Sequence, residues 1–248
     1  MEYFTGDEIK AQKQSEISKR YEGYVGRNIN DFFAVNLVEK YHNRVFGNAK
    51  EKTKILDYGT ASGVFATQLT QKGFKNIYGL DRADYVDRDK KNTFTEFKLA
   101  DINTDTLPWP DNSFDIITAW CVFPHLENPH HGVRETFRIL KPGGLFVLSI
   151  PHLLSRASVQ YFLKHKDFAR YHPEKDHIAV FTPGVFQIAF LKYFDVINME
   201  YFIDPRSLRG LKGKIRKFIL RVSAINARIK NYFEKRWGYN QIWILRKK

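Results

Sequence analysis

A short apolar strand, Ile55-Leu-Asp-Tyr58, runs into a glycine-punctuated turn, Gly59-Thr-Ala-Ser-Gly63, and the turn opens a helix through Val64-Phe-Ala66. A second strand, Ile77-Tyr-Gly-Leu80, then ends in Asp81, 18 residues after Gly63. This order constrains the fold more than any other part of the chain, because it specifies a βαβ unit. The glycines let the backbone approach a ligand closely, and the helix N-terminus offers free N–H groups. A carboxylate at the tip of the second strand can accept both ribose hydroxyl protons. Such a unit holds an adenosine-containing cofactor, so an enzyme is expected.

Strands are expected at 53–58, 75–81, 94–99, 114–120 and 144–150, with helices at 63–72 and about 128–140. Pro142, Gly143 and Gly144 stop the second helix and turn the chain into the next strand. Alternating strands and helices predict an α/β fold, a doubly wound and mostly parallel sheet covered on both faces. Residues 151–180 hold Pro151, Pro173 and four histidines with no clear period. A long connection at that edge of a parallel sheet usually belongs to the binding site. Thr182-Pro183 opens a helix to about Lys192, and strands at 193–202 and 241–247 complete a seven-stranded sheet. The first 50 residues read as helix, with Ile9, Ile17, Tyr21 and Tyr24, then Phe32, Phe33, Val35, Leu37 and Val38.

With 248 residues and 43% apolar content, the chain can bury a sizeable core. Its polar, acidic start is no signal peptide, and its longest apolar stretch, Gly143 to Ile150, is too short to span a bilayer. The single cysteine, Cys121, excludes an internal disulfide framework and a cysteine-cluster metal site. These features point to the cytoplasm. Charge is unevenly placed. Residues 205–248 carry fourteen Lys or Arg against one acid, Glu234, which equals the whole net charge of +13. The preceding 204 residues are therefore neutral, and the two parts read separately.

Later segments narrow the cofactor. Leu99-Ala-Asp101-Ile102 ends the third strand, and Asp111-Asn-Ser-Phe-Asp-Ile-Ile-Thr-Ala119 forms the fourth. Val122-Phe-Pro-His-Leu-Glu-Asn-Pro129 and Arg138-Ile-Leu-Lys-Pro-Gly-Gly-Leu-Phe-Val-Leu-Ser-Ile-Pro151 follow. This series resembles the class I S-adenosylmethionine-dependent methyltransferases, especially the small-molecule group that includes the quinone-biosynthesis enzymes. The resemblance covers roughly residues 50 to 200. It implies a Rossmann-like methyltransferase fold with S-adenosyl-L-methionine as methyl donor. By that resemblance, Asp57, Gly59, Ala61 and Gly63 frame the methionine part, and Asp81 binds the ribose. Asp101 faces the adenine amino group with Ile102 beside the ring, and Ala119 offers its backbone. The family usually has glycine where Ala61 stands; alanine fits there if φ is negative and is strained if φ is positive. It often has Glu where Pro124 stands. Taken singly, Asp57 also reads as a cap of the next helix, and Asp81 and Asp101 as turn residues.

Methyl transfer from a sulfonium is an in-line displacement, so the protein positions a nucleophile and removes its proton where one is present. His125, His152 and His177 lie where the fold would place the pocket and are the candidate bases, against a packing or capping role for each. The stretch around His177 resembles one preceding Phe-Thr in related enzymes. His172 with His177, and His130-His131, lack the Asp, Glu or Cys spacing that would complete a metal site, so no metal is expected. No Asn-Pro-Pro-Tyr or Asp-Pro-Pro-Tyr follows the fourth strand; that tetrapeptide resembles the signature of enzymes that methylate exocyclic base amines and glutamine amides, so by this resemblance an oxygen or carbon acceptor is expected. Tyr21 and Tyr24 either close over the cofactor or pack.

Leu208, Leu211, Ile215, Phe218, Val222, Ile225, Ile229 and Tyr232 repeat at helical spacing, with cations over the rest of the surface. One helix over 211–237 would span ~40 Å, with Gly210 and Gly213 weakening its start. Three uses are consistent with it. The stripe packs on the chain's own core or on a second copy, giving a homodimer; it lies in an anionic membrane surface; or it contacts nucleic acid. One-sided charge counts against the first, and the absence of aromatics among the cations counts against the third. The expected organisation is a helical cap at 1–50, the cofactor-binding core at 51–204 with a substrate cover at 151–180, a basic amphipathic insertion at 205–240 and a final strand at 241–248. The expected activity is methylation of a small-molecule, glycan or lipid-linked acceptor by a cytoplasmic enzyme, peripheral at the membrane. An RNA methyltransferase and a non-catalytic cofactor-binding module are the alternatives.

Overall fold

Adjacent residues along the central strands point to opposite faces, and both faces are apolar. Ile55 and Leu56, Ile116 and Ile117, and Phe146 and Val147 each contribute to two different buried clusters. A strand apolar on both faces has to be covered on both. In a computed structural model of the chain, which describes residues 32–171 and 176–248, helices provide that cover. The elements are α1 (Phe33–Phe46), β1 (Lys54–Tyr58), α2 (Val64–Gln71), β2 (Asn76–Asp81), β3 (Glu96–Leu99), β4 (Phe114–Trp120) and α3 (Pro129–Ile139). They continue with β5 (Leu140–Pro151), α4 (Arg156–His165), α5 (Pro183–Phe190), β6 (Phe194–Phe202), α6 (Gly210–Ser223), α7 (Ala227–Trp237) and β7 (Asn240–Lys247). Ile9, Ile17, Tyr21, Tyr24 and His172 lie outside the described residues.

The seven strands run in the order β3-β2-β1-β4-β5-β7-β6. β1 to β5 are parallel, and β7 is antiparallel to both β5 and β6. The chain moves outward from β1 through β2 to β3, then returns to place β4 on the other side of β1. The crevice between the tips of β1 and β4 is thus the topological switch point, where open α/β sheets bind ligands.

Two local expectations change. The segment after β5 contains a helix, α4, capped by Ser155, whose Oγ accepts from Ser158 N–H. None of its residues is buried, and its apolar period is a single turn, Val159, Phe162 and Leu163. The basic segment is also two helices, not one. Asn226 starts the second by accepting from the N–H groups of Arg228 and Ile229 at 2.9 and 3.3 Å. The apolar period runs across this cap unchanged, which concealed it. The first helix starts at Gly210, ahead of Gly213, where a Cβ would lie 2.2 Å from the Leu208 carbonyl carbon, so glycine lets the Pro205–Leu208 turn rest on α6. The apolar row of this pair is not packed on the core. Leu211 is 77% exposed, Phe218 67% and Ile225 90%. Among the described residues, no helix is long and apolar enough to cross a membrane.

Candidate active site

At the tip of β1, Gly59 has φ +64, and its N–H donates to Leu80 O at 2.8 Å. A Cβ on Gly59 would stand 2.8 Å from Val122 Cγ2, so both the backbone angle and the loop after β4 require glycine. Gly63, at φ +83, begins α2 with no side-chain cap, which leaves the helix N-terminus facing the turn. Ala61 has φ +48, in the left-handed region, and this is the strained alternative for the position where the family usually has glycine. Its N–H donates to Asp81 Oδ2 at 3.0 Å, while Arg82 N–H donates to Oδ1 at 2.8 Å. Asp81 therefore sits at the tip of β2 with its carboxylate held against the glycine turn.

The other expected cofactor residues lie at the same sheet edge in different states. Asp57 is buried, pairs with Thr118 across β1 and β4, and accepts from Thr118 Oγ1 at 2.6 Å. It braces the switch point. Ala119 is fully buried opposite Tyr58. Asp101 Oδ1 accepts from both the backbone and side-chain nitrogens of Asn103, at 2.8 and 2.9 Å, forming a turn within its own loop. Ile102 is buried in the core, packed where Gly132 leaves room for it. Thr60 Oγ1, inside the glycine turn, is buried with no hydrogen-bond partner among the described residues. A buried hydroxyl left in this way fits a turn that receives a polar ligand. Together with Asp81 and the uncapped α2, it makes the residues present compatible with an adenosine-containing donor.

Of the three histidines, the structure brings two together. The rings of His125 and His177 are edge to face, with centroids 4.5 Å apart. Their loops are joined where the Ile178 and Ala179 N–H groups both donate to Pro124 O, at 2.8 and 3.0 Å. His125 Nδ1 lies 2.9 Å from Asp176 O. A carbonyl only accepts, so Nδ1 carries the proton, and Nε2 of the neutral ring is the basic nitrogen. His152 has different neighbours. It is buried, its Nε2–H donates to Lys235 O at 2.9 Å, and its ring packs on Tyr201. Burial pushes its pKa below the ordinary histidine value. His152 thus joins the end of β5 to α7, and its other nitrogen, Nδ1, is buried. Among the described residues, no three His, Cys, Asp or Glu side chains gather to hold a metal.

Two residues that sequence reasoning missed stand beside the histidine pair. Cys121, directly after β4, has φ +60 and lies 3.8 Å through Sγ from His177 Nε2. Ala61 and Cys121 thus place left-handed, non-glycine backbone at the tips of adjacent strands, and such strain clusters at functional sites. Buried Arg170 donates through Nη2 to Cys121 Sγ at 3.5 Å and through Nη1 to Tyr239 O and Asn240 Oδ1. Its guanidinium also lies over the Tyr239 ring, 4.1 Å from the centroid. The positions 121, 170 and 239 are too far apart in the chain for any motif to link them.

Comparison with known proteins agrees with this geometry. A family model described as "Methyltransferase domain" matches residues 30–193, well over half of the chain. A sterol 24-C-methyltransferase of Aspergillus fumigatus is 34% identical over 103 residues, covering 39% of this chain and 27% of that enzyme. A ubiquinone/menaquinone biosynthesis C-methyltransferase of Rickettsia akari is 29% identical over 129 residues, covering 48% and 50%. The chain thus spans half or less of these relatives' length. Among solved structures, a chain from the complex of the Haloferax volcanii Trm112 methyltransferase activator with a methyltransferase superposes with TM-score 0.59 at 16% identity, covering 98% of this chain and 95% of that one. At that identity the likeness is one of fold. The family match, the order of the strands and the turn closed by Asp81 agree, and the chain belongs to the S-adenosylmethionine-dependent class I methyltransferases.

Proposed function

We propose that this chain transfers a methyl group from S-adenosylmethionine to an oxygen or carbon of a small-molecule, glycan or lipid-linked acceptor at a membrane surface. The observation that carries this reading is the closure of the glycine turn on Asp81 at the switch point. When bound, the donor supplies an already activated methyl group. Asp81 would hold its ribose, and the Gly59–Gly63 turn with the α2 N-terminus would receive its polar end. On the acceptor side, Nε2 of His125 would take a proton from a hydroxyl acceptor, and His177 would orient the ring against which it packs. Two relatives are named for sterol and quinone chemistry with carbon as the methylated atom, which supports an apolar acceptor. The fourteen cations of residues 205–248 support a site of action beside anionic lipid.

Calorimetric titration of the full chain with S-adenosylmethionine tests the donor site. A charged hydrogen-bond acceptor is worth about 1.5–3 kcal/mol, so Asp81→Ala is expected to bind roughly 10- to 100-fold more weakly. Equal affinity would overturn the assignment. Labelled methyl transfer is then followed in parallel into a lipid extract and into total RNA. Label in lipid supports the acceptor proposed; label in RNA alone replaces it. Cofactor binding with no transfer into either fraction would favour the non-catalytic module.

A further inference from the structure

We infer that α4, α6 and α7 form one docking surface for an anionic lipid leaflet, so that the acceptor side of the site is held at the membrane. This rests on the membrane reading above and extends it to a helix outside the basic insertion. α4 packs against α7, and α7 against α6, giving a contiguous helical layer over that end of the sheet. His152 ties the layer together: its carbonyl accepts from Ser158 Oγ on α4 at 2.9 Å, while its ring donates to Lys235 O on α7.

Each helix turns apolar side chains to solvent. Val159, Phe162 and Leu163 are spaced as one face of α4, all are exposed, and Leu163 is 62% exposed. Phe218 and Ile225 do the same on and after α6. Exposed apolar residues extending across three neighbouring helices exceed what scattered surface residues explain. Charge selects the occupant. α6 and α7 carry nine Lys or Arg and one acid, Glu234, which lies 3.5 Å from Lys230. α4 adds Arg156 and Lys164 with no acid of its own. Cations flanking an exposed apolar row match phosphate headgroups above an acyl boundary. Nucleic acid would leave the apolar rows unused, and a second copy would place cations against cations.

The test is sedimentation of the full chain with phosphatidylcholine vesicles, with and without phosphatidylglycerol, over a range of salt. Binding is expected to require phosphatidylglycerol and to weaken as salt rises. Val159→Ser/Leu163→Ser on α4 and Phe218→Ser/Ile225→Ser on the hairpin are each expected to weaken it by roughly tenfold or more, with S-adenosylmethionine affinity unchanged as the control of folding. Arg156→Glu/Lys164→Glu, a charge change on exposed positions, is expected to act in the same direction. Loss with the hairpin variant but not with either α4 variant overturns the extended surface and leaves the membrane reading standing. No vesicle binding by the unaltered chain, with RNA binding or a dimer in its place, overturns both.

Discussion

The backbone N–H of Ala61 donates to Asp81 Oδ2 at 3.0 Å, so a residue in left-handed geometry is tied to the carboxylate at the tip of β2. An L-residue in that region is strained by about 1–2 kcal/mol, and glycine is not. The bond is made by the backbone and does not depend on the side chain. Ala61→Gly therefore keeps the link and removes the strain, against a loss of about 0.4–1 kcal/mol from the greater freedom of the unfolded chain. The variant is expected to melt higher by roughly 2 °C, with cofactor affinity retained. A lower melting temperature in differential scanning calorimetry would show that the Ala61 methyl group packs more strongly than the backbone strain opposes it.

The strands were legible because their residues carry the sheet's own chemistry. Phe114–Trp120 is apolar on both faces, as a central parallel strand must be, and Asn128-Pro129 and Thr182-Pro183 announce helix starts by capping. α4 escaped because its apolar period is only one turn long, Val159, Phe162 and Leu163, and so short a run does not stand out from the loop around it. The break between α6 and α7 escaped for the opposite reason: the stripe was regular enough to hide Asn226, although an asparagine before a helix is a start signal. At the site, the turn that Asp81 closes with the glycines could be placed because its geometry is set within one βαβ unit. The separation of His152 from the histidine pair depended on Lys235, 83 positions away, and no local pattern records such a contact.

Arg170 links the segment after α4 to the start of β7 through Tyr239 O and Asn240 Oδ1, and to the tip of β4 through Cys121. Hydrogen bonds from a charged group contribute about 1.5–3 kcal/mol each when a buried partner would be left unsatisfied. Arg170→Met keeps the apolar stem and removes the donors, so a destabilisation of about 3 kcal/mol is expected, with melting lowered by roughly 6–12 °C. Lysine has one compact head in place of the planar fork, so Arg170→Lys is expected to fall between the two. Chemical denaturation orders the three proteins. If Arg170→Met melts with the unaltered chain, the guanidinium does not hold this joint.

Stability should also depend on pH through two of the buried histidines, His152 and His42. His152 and His42 both have pKa values pushed below 6.5 by burial, which favours their neutral rings in the fold. The unfolded chain then binds more protons than the folded one as pH drops below 6.5, so folding is opposed there. Their stabilising contribution is complete above pH 6.5 and is lost as pH falls through the lowered folded pKa values. The slope is at most about 1.4 kcal/mol per pH unit for each ring. His152→Gln can still donate an amide N–H to Lys235 O but does not titrate in this range, so its melting temperature should decline less steeply than that of the unaltered chain as pH is lowered from 6.5. Because His152 holds α7 to the start of the α4 segment, the first region to loosen should be the basic hairpin. Limited trypsin cleavage at mildly acidic pH should enter at Arg221 and Arg228, in the turns of α6 and α7 that flank their junction, in the unaltered chain and be slower in His152→Gln. Identical slopes and identical cleavage rates would show that protonation of His152 is not what weakens the joint.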